Sequence, residues 1–199
     1  MKLTTITSYK GGVSKSTTAI HLATFLSEHG KVLIVDCDKN RTAIAWAERG
    51  NLPFAVLAEK AAYKVLSDYD FAIIDTPANP DSNDLKELAE ASDLLILPTL
   101  PDVVSLDPML QTAENLKGTN YRALISIVPP MPNRDGEKLK AELLAAEFPV
   151  FDAMIRRSIG FSKAALAGKP VRDLTGGDRM AWSDYEKLGN EVLEALKDE

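Results

Sequence analysis

The sequence predicts an α/β fold, a single domain over residues 1–199 with a mostly parallel central sheet flanked by helices on both faces. Three observations predict it. Short β-rich runs alternate with helical patterns along the chain, and repeated strand–helix alternation implies right-handed crossovers between parallel strands. Most of the runs are continuously apolar, which is how strands buried on both faces read. A glycine-containing segment, Tyr9-Lys-Gly-Gly-Val-Ser-Lys-Ser-Thr17, joins the first run to the first helical pattern. That strand–loop–helix setting is where a phosphate-cradling loop sits.

In chain order, the first strand is expected over Leu3–Ser8. The helix after it, Ser16–Glu28, ends at Gly30 and puts Ala19, Leu22, Ala23 and Leu26 on one face. Further strands are expected at Val32–Asp36, Phe54–Leu57, Phe71–Asp75, Leu94–Pro98 and Ala123–Val128, with a short one at Val150–Phe151. The helical patterns between and after them are Thr42–Arg49, Asn83–Ala91, Ser105–Leu116, Glu137–Ala146, Phe161–Ala167 and Arg179–Lys197. The proline-rich stretch from Val128 to Asn133 is too short for a linker and reads as a loop after the sixth strand. In the last helix Trp182, Tyr185, Leu188, Val192, Leu193 and Leu196 fall at helical spacing, a stripe suited to docking on the core. Its other face is acidic (Asp184, Glu186, Glu191, Glu194, Asp198, Glu199) and would be repelled by anionic lipid, so no membrane partner is expected.

Composition narrows the class. The chain is 45% apolar and 26% charged, ordinary for a soluble globular protein. Its one cysteine, Cys37, excludes a disulfide framework or a cysteine-rich metal site and fits a reducing cytosol. No apolar stretch approaches the ~20 residues that span a bilayer. The N-terminus enters the first strand at once, so no signal peptide is expected. His21 and His29 carry no metal-binding pattern.

The residues of the glycine-rich loop suggest a chemistry. Gly11 and Gly12 let backbone N–H groups turn inward toward an anion. Lys15 can reach the β- and γ-phosphates of a nucleotide, and the Ser16 hydroxyl can hold Mg²⁺. The second strand ends in Asp36-Cys37-Asp38, and in an extended chain residues two apart face the same side, so both carboxylates can point at a metal–nucleotide site. The fourth strand is an apolar run terminated by Asp75, where an ion held directly or through water gives a buried strand reason to end in a charge.

Lys10-Gly-Gly-Val-Ser-Lys15-Ser16 resembles the deviant Walker A motif, K-G-G-x-G-K-[ST], of the ParA/MinD family of ATPases, with Ser14 where the family usually has glycine. The resemblance covers essentially the whole chain. It implies a P-loop NTPase whose loop from Lys10 through Val13 to Thr17 binds ATP, with Lys10 crossing a dimer interface to touch the nucleotide of the other subunit. It further implies that Asp38, in switch I, orients the attacking water, that Asp36 supports the Mg²⁺ shell, that Asp75 is the Walker B acid, and that Thr76-Pro77-Ala78 is switch II. Pro98-Thr99-Leu100-Pro101 is similar to the family's P-x-x-P segment, placing Pro101 at the nucleotide. Val128–Arg134 occupies the position of the adenine loop, with Pro130 or Asn133 as its contact.

Residues 153–172 contain Arg156, Arg157, Lys163, Lys169 and Arg172 and no acid, a charge of +5 in a chain of net charge −6. This segment resembles the C-terminal ParA pattern, whose cations bind the DNA backbone without sequence preference; such binding needs only phosphate-facing charges. Solvated basic residues paired with acidic neighbours are the other reading. The resemblance implies an ATP-dependent homodimer, cytoplasmic and nucleoid-associated, lacking the N-terminal extension of larger ParA proteins. A ParB-like or cargo-adaptor partner protein would stimulate hydrolysis, and the cargo would be a plasmid, a chromosome origin or a protein body such as a carboxysome. Two other classes compete. A metabolic P-loop synthetase or small-molecule kinase would leave Lys10 without work, and an iron–sulfur electron-transfer ATPase would need more thiolates than one Cys37 per subunit supplies.

Overall fold

The computed structural model describes residues 1–102, 109–110 and 116–197. Six strands make one sheet: β1 (Lys2–Ser8), β2 (Val32–Asp36), β3 (Ala55–Ala58), β4 (Phe71–Ala78), β5 (Leu94–Thr99) and β6 (Tyr121–Ile125). Their order is β3-β2-β4-β1-β5-β6 and every pairing is parallel. Among the described residues seven α-helices cover the faces: α1 (Lys15–Leu26), α2 (Thr42–Ala47), α3 (Glu59–Ala62), α4 (Ser82–Glu90), α5 (Asp135–Ala145), α6 (Ile159–Ala167) and α7 (Trp182–Ala195). No helix of the described residues is long and apolar enough to cross a membrane.

The continuous apolar runs are explained by burial on both sides. Ile34, Ile73, Leu94, Ile96 and Leu124 point to one face and pack with α1, α6 and α7. Leu95, Leu97, Ala123 and Ile125 point to the other, against Leu85 of α4 and Leu139 and Leu143 of α5. Leu33 and Val35 meet Ala62 of α3 on a smaller cluster. Each fully buried Leu or Ile contributes about 1.5–3 kcal/mol relative to exposure, so neither face of these strands tolerates a polar residue without compensation.

Several boundaries differ from the expectation. β4 continues three residues past Asp75, because a register shift against β1 between Ile6 and Ser8 lets Ser8 pair with Ala78. Thr76 Oγ1 donates to the Ile6 carbonyl at 3.0 Å and holds that irregularity. β6 stops at Ile125, since Ile127 at φ 56° breaks the ladder, and the expected strand at Val150–Phe151 survives as an isolated parallel bridge to Ala123. α7 begins at Trp182 instead of Arg179, because Gly176–Ala181 form a 3-10 helix. The expected helix over Ser105–Leu116 lies outside the described residues, except that 109–110 are helical. The short α3 was not expected.

The chain after α6 is strapped across α1 and α2. Trp46 Nε1 donates to the Lys169 carbonyl at 3.1 Å, and the Val171 N–H donates to His21 Nε2 at 3.0 Å. Gly50 and Gly168 touch backbone to backbone: a β-carbon on Gly50 would stand 2.4 Å from the Gly168 carbonyl oxygen. His21 Nδ1–H donates to the Thr17 carbonyl at 2.7 Å, so both ring nitrogens are satisfied in the neutral form. The ring stacks on Tyr185 at 4.7 Å and meets the edges of Trp46 and Phe161. Burial, only partly opposed by the Thr17 carbonyl, pushes its pKa down to about 4.

Candidate active site

The loop between β1 and α1 stands at the carboxyl edge of the sheet, where ligands of parallel α/β sheets bind. Gly12 is left-handed at φ 76°, a conformation glycine adopts without strain. Ser126 Oγ lies 3.0 Å from the Val13 carbonyl and 3.1 Å from the Thr99 carbonyl, tying the back of the loop to β5. Lys15 is only 7% exposed, and its Nζ donates to Ser8 Oγ at 3.2 Å; that hydroxyl in turn donates to the Lys10 carbonyl at 2.8 Å. Burial lowers the Lys15 pKa, while Asp75 and Asp38 raise it.

Gly11, Gly12, Ser14, Lys15, Ser16 and Thr17 line one open cleft together with Asp38 and Pro77. Val13 is buried beneath the loop. Lys10 lies on the outer side, 43% exposed at its side chain, with Nζ 3.7 Å from an Asp102 oxygen. Pro98 and Thr99 line a cavity with Lys10 behind the loop, whereas Pro101 and Pro130 line neither this cavity nor the cleft.

Asp75 is fully buried, and neither carboxylate oxygen has a hydrogen-bond partner among the described residues. Desolvation raises its pKa to about 7; the neighbouring Ser16 hydroxyl and Lys15 pull the other way without restoring it, and Asp36 and Asp38 add to the rise. A buried, unpartnered carboxylate beside a hydroxyl fits a hard cation. Mg²⁺ takes oxygen donors and is commonly held by one or two carboxylates plus substrate phosphates, so Ser16 and Asp75 suit it. Among the described residues no three acidic, histidine or cysteine side chains converge as a metal-binding group.

The carboxylate pair on β2 divides. The strand ends at Asp36, so the same-side geometry of an extended chain does not reach Asp38. Asp38 lines the cleft; Asp36 is fully buried, and its two oxygens accept the N–H groups of Asp38 and Ile44, each at 3.1 Å. Asp36 therefore shapes the turn that presents Asp38, and it stands in register with Asp75 on β4.

A second cleft adjoins the first, sharing Gly12, Ser14 and Thr17 and continuing along Ile127, Ile155–Ser158, Phe161 and Tyr185. Ile127, Ile155 and Phe161 give it an apolar wall able to receive a planar ring, and Arg156, Arg157, Ser158 and Ser162 line the rest. The sequence reading missed this wall. The one available signal was the short strand pattern at Val150, which carries the chain to Arg156, bridged to Val128, at the ligand edge of the sheet.

The same geometry places the five basic residues. Arg156 makes a two-pronged contact with the buried Asp184, at 2.7 and 2.6 Å, and Asp184 raises its already high pKa. Lys163 pairs with Asp178 at 2.7 Å and Arg172 with Glu28 at 2.6 Å. Arg157 and Lys169 are exposed and have no acidic partner among the described residues.

A model of the CobQ/CobB/MinD/ParA nucleotide-binding domain matches residues 4–171. The chain belongs to this family. The ParA/MinD proteins of the family are ATPases, and this chain is one of them. The maintenance of carboxysome distribution protein A of Gloeobacter kilaueensis is 32% identical over 194 aligned residues, spanning 92% of this chain and 90% of that protein. Two solved structures share the ParA/MinD fold at 18% identity. An ATP complex of McdA from Cyanothece has a TM-score of 0.74 over 100% of this chain and 97% of that one. The septum site-determining protein MinD of Pyrococcus horikoshii with Mg-ADP has a TM-score of 0.72 over 100% and 99%.

Proposed function

We propose that this ParA/MinD-family ATPase dimerises on ATP, attaches to nucleoid DNA without sequence preference and positions a cargo, with a partner protein stimulating hydrolysis. The observation that carries the reading is the convergence of Lys15, Ser16 and Asp38 on one cleft at the glycine-rich loop, with the buried carboxyl of Asp75 beside them. ATP with Mg²⁺ supplies the activated phosphoryl group. Lys15 neutralises the phosphates, and Ser16 and Asp75 would hold the ion. Asp38 orients the attacking water. Lys10 reaches the partner's nucleotide; its half-exposed pair with Asp102 is worth about 0–1 kcal/mol.

The wall of Ile127, Ile155 and Phe161 receives the base. Arg157 and Lys169 are the first candidates for DNA phosphates, with Lys163 and Arg172 available once their surface pairs open; Arg156 is committed to Asp184. The cargo best supported is a carboxysome, on the strength of the Gloeobacter relative. Calorimetry of Lys15→Ala tests the base of this reading: ATP binding should vanish with the charge that pairs with the phosphates. Near-wild-type binding would overturn it.

A further inference from the structure

Ser14 stands where the two clefts meet and lines both. Its backbone is left-handed, at φ 67° and ψ 27°, a conformation that crowds a β-carbon and that glycine adopts freely. It occupies the N-cap of α1, where a serine hydroxyl ordinarily accepts an N–H from the first helical turn, yet it makes no capping bond. The two facts are connected, since that cap needs an extended backbone at the capping residue. The Ser14 carbonyl does accept the Thr18 N–H at 2.8 Å, so the backbone serves the helix while the side chain does not.

The Ser14 hydroxyl oxygen is shielded from solvent and has no hydrogen-bond partner among the described residues. Glycine would remove both the backbone strain and the stranded hydroxyl. The serine is therefore unfavourable in the unliganded chain on two separate grounds.

We propose that the Ser14 hydroxyl is a nucleotide-binding group that donates to a phosphate oxygen held by the Gly11–Thr17 loop. The proposal rests on the nucleotide reading above and adds to it a contact from this chain's own departure from glycine. A phosphate oxygen is the partner that fits, because it only accepts, it carries charge, and a charge-assisted hydrogen bond outweighs a neutral one. The hydroxyl thus trades stability of the empty loop for affinity.

Ser14→Ala deletes the hydroxyl and keeps the left-handed strain, whereas Ser14→Gly removes both. Melting of the unliganded proteins and calorimetric titration with Mg-ADP and Mg-ATP separate the two effects. Ser14→Ala should melt no lower than wild type and Ser14→Gly higher than either, while both bind nucleotide on the order of tenfold more weakly. Wild-type affinity in Ser14→Ala would overturn the proposal. So would a marked drop in its unliganded melting temperature, which would mean that the hydroxyl has a partner inside the fold. Failure of the wild-type chain itself to bind either nucleotide would remove the nucleotide reading, and this proposal with it.

Discussion

Acid should weaken this protein through His21 in a measurable window. The ring is neutral in the folded chain down to about pH 4, while in the unfolded chain it titrates near 6.5. Between those values the unfolded state binds a proton that the folded state refuses, so stability falls as pH drops from about 6.5 and the loss is complete below about 4. At 1.36 kcal/mol per unit, the full loss is roughly 3 kcal/mol, of which about 2 kcal/mol is incurred by pH 5. Carboxylates titrate in the same range and must be subtracted. His21→Phe provides the reference: it keeps a ring against Tyr185, cannot titrate, and gives up the bonds to Thr17 and Val171. Urea midpoints and slopes for both proteins at pH 7.5 and pH 5 give the comparison. The advantage of wild type over His21→Phe should shrink by about 2 kcal/mol on acidification. A gap that stays constant would refute the buried neutral ring and the aromatic box built around it.

Other substitutions test the remaining assignments. Asp38→Ala should bind ATP with Mg²⁺ but lose turnover, accumulating the closed dimer in light scattering; normal hydrolysis would remove Asp38 from water activation. Lys10→Ala should keep nucleotide in each subunit while ATP no longer drives association, which sedimentation would show. For DNA, Arg157→Ala with Lys169→Ala should reduce the slope of log affinity against log salt by about 0.9 for each phosphate that these side chains cease to neutralise. Arg156→Ala should instead lower the melting temperature, because it leaves the buried Asp184 uncompensated. Unchanged gel-shift titrations in the double variant would place DNA elsewhere.

What the sequence made legible was local. Continuous apolar runs located the strands, because burial on both faces removes the alternation that would otherwise mark an exposed side. The glycine pair between Lys10 and Lys15 located the turn from β1 into α1, because glycine admits the left-handed angle that Gly12 adopts. What stayed hidden depends on partners distant in sequence. Asp36 and Asp38 look equivalent until the strand end at Asp36 separates them. Arg156, Lys163 and Arg172 look like a free basic run until Asp184, Asp178 and Glu28 are brought beside them by the packing of α7, the 3-10 helix and α1. The apolar wall of the second cleft is assembled from Ile127, Ile155 and Phe161, which belong to three segments that no period or spacing connects.

The contact between Gly50 and Gly168 has an evolutionary consequence. A β-carbon on Gly168 would stand 2.3 Å from the Gly50 nitrogen, and one on Gly50 would strike the Gly168 carbonyl. In both cases the obstacle is main chain, so no change of side chain elsewhere can make room. The two positions are entrenched together: neither can drift alone, and drift at one cannot be rescued by the other. The segment that follows α2 and the stretch of chain bearing Lys169 are thereby held as one mechanical unit.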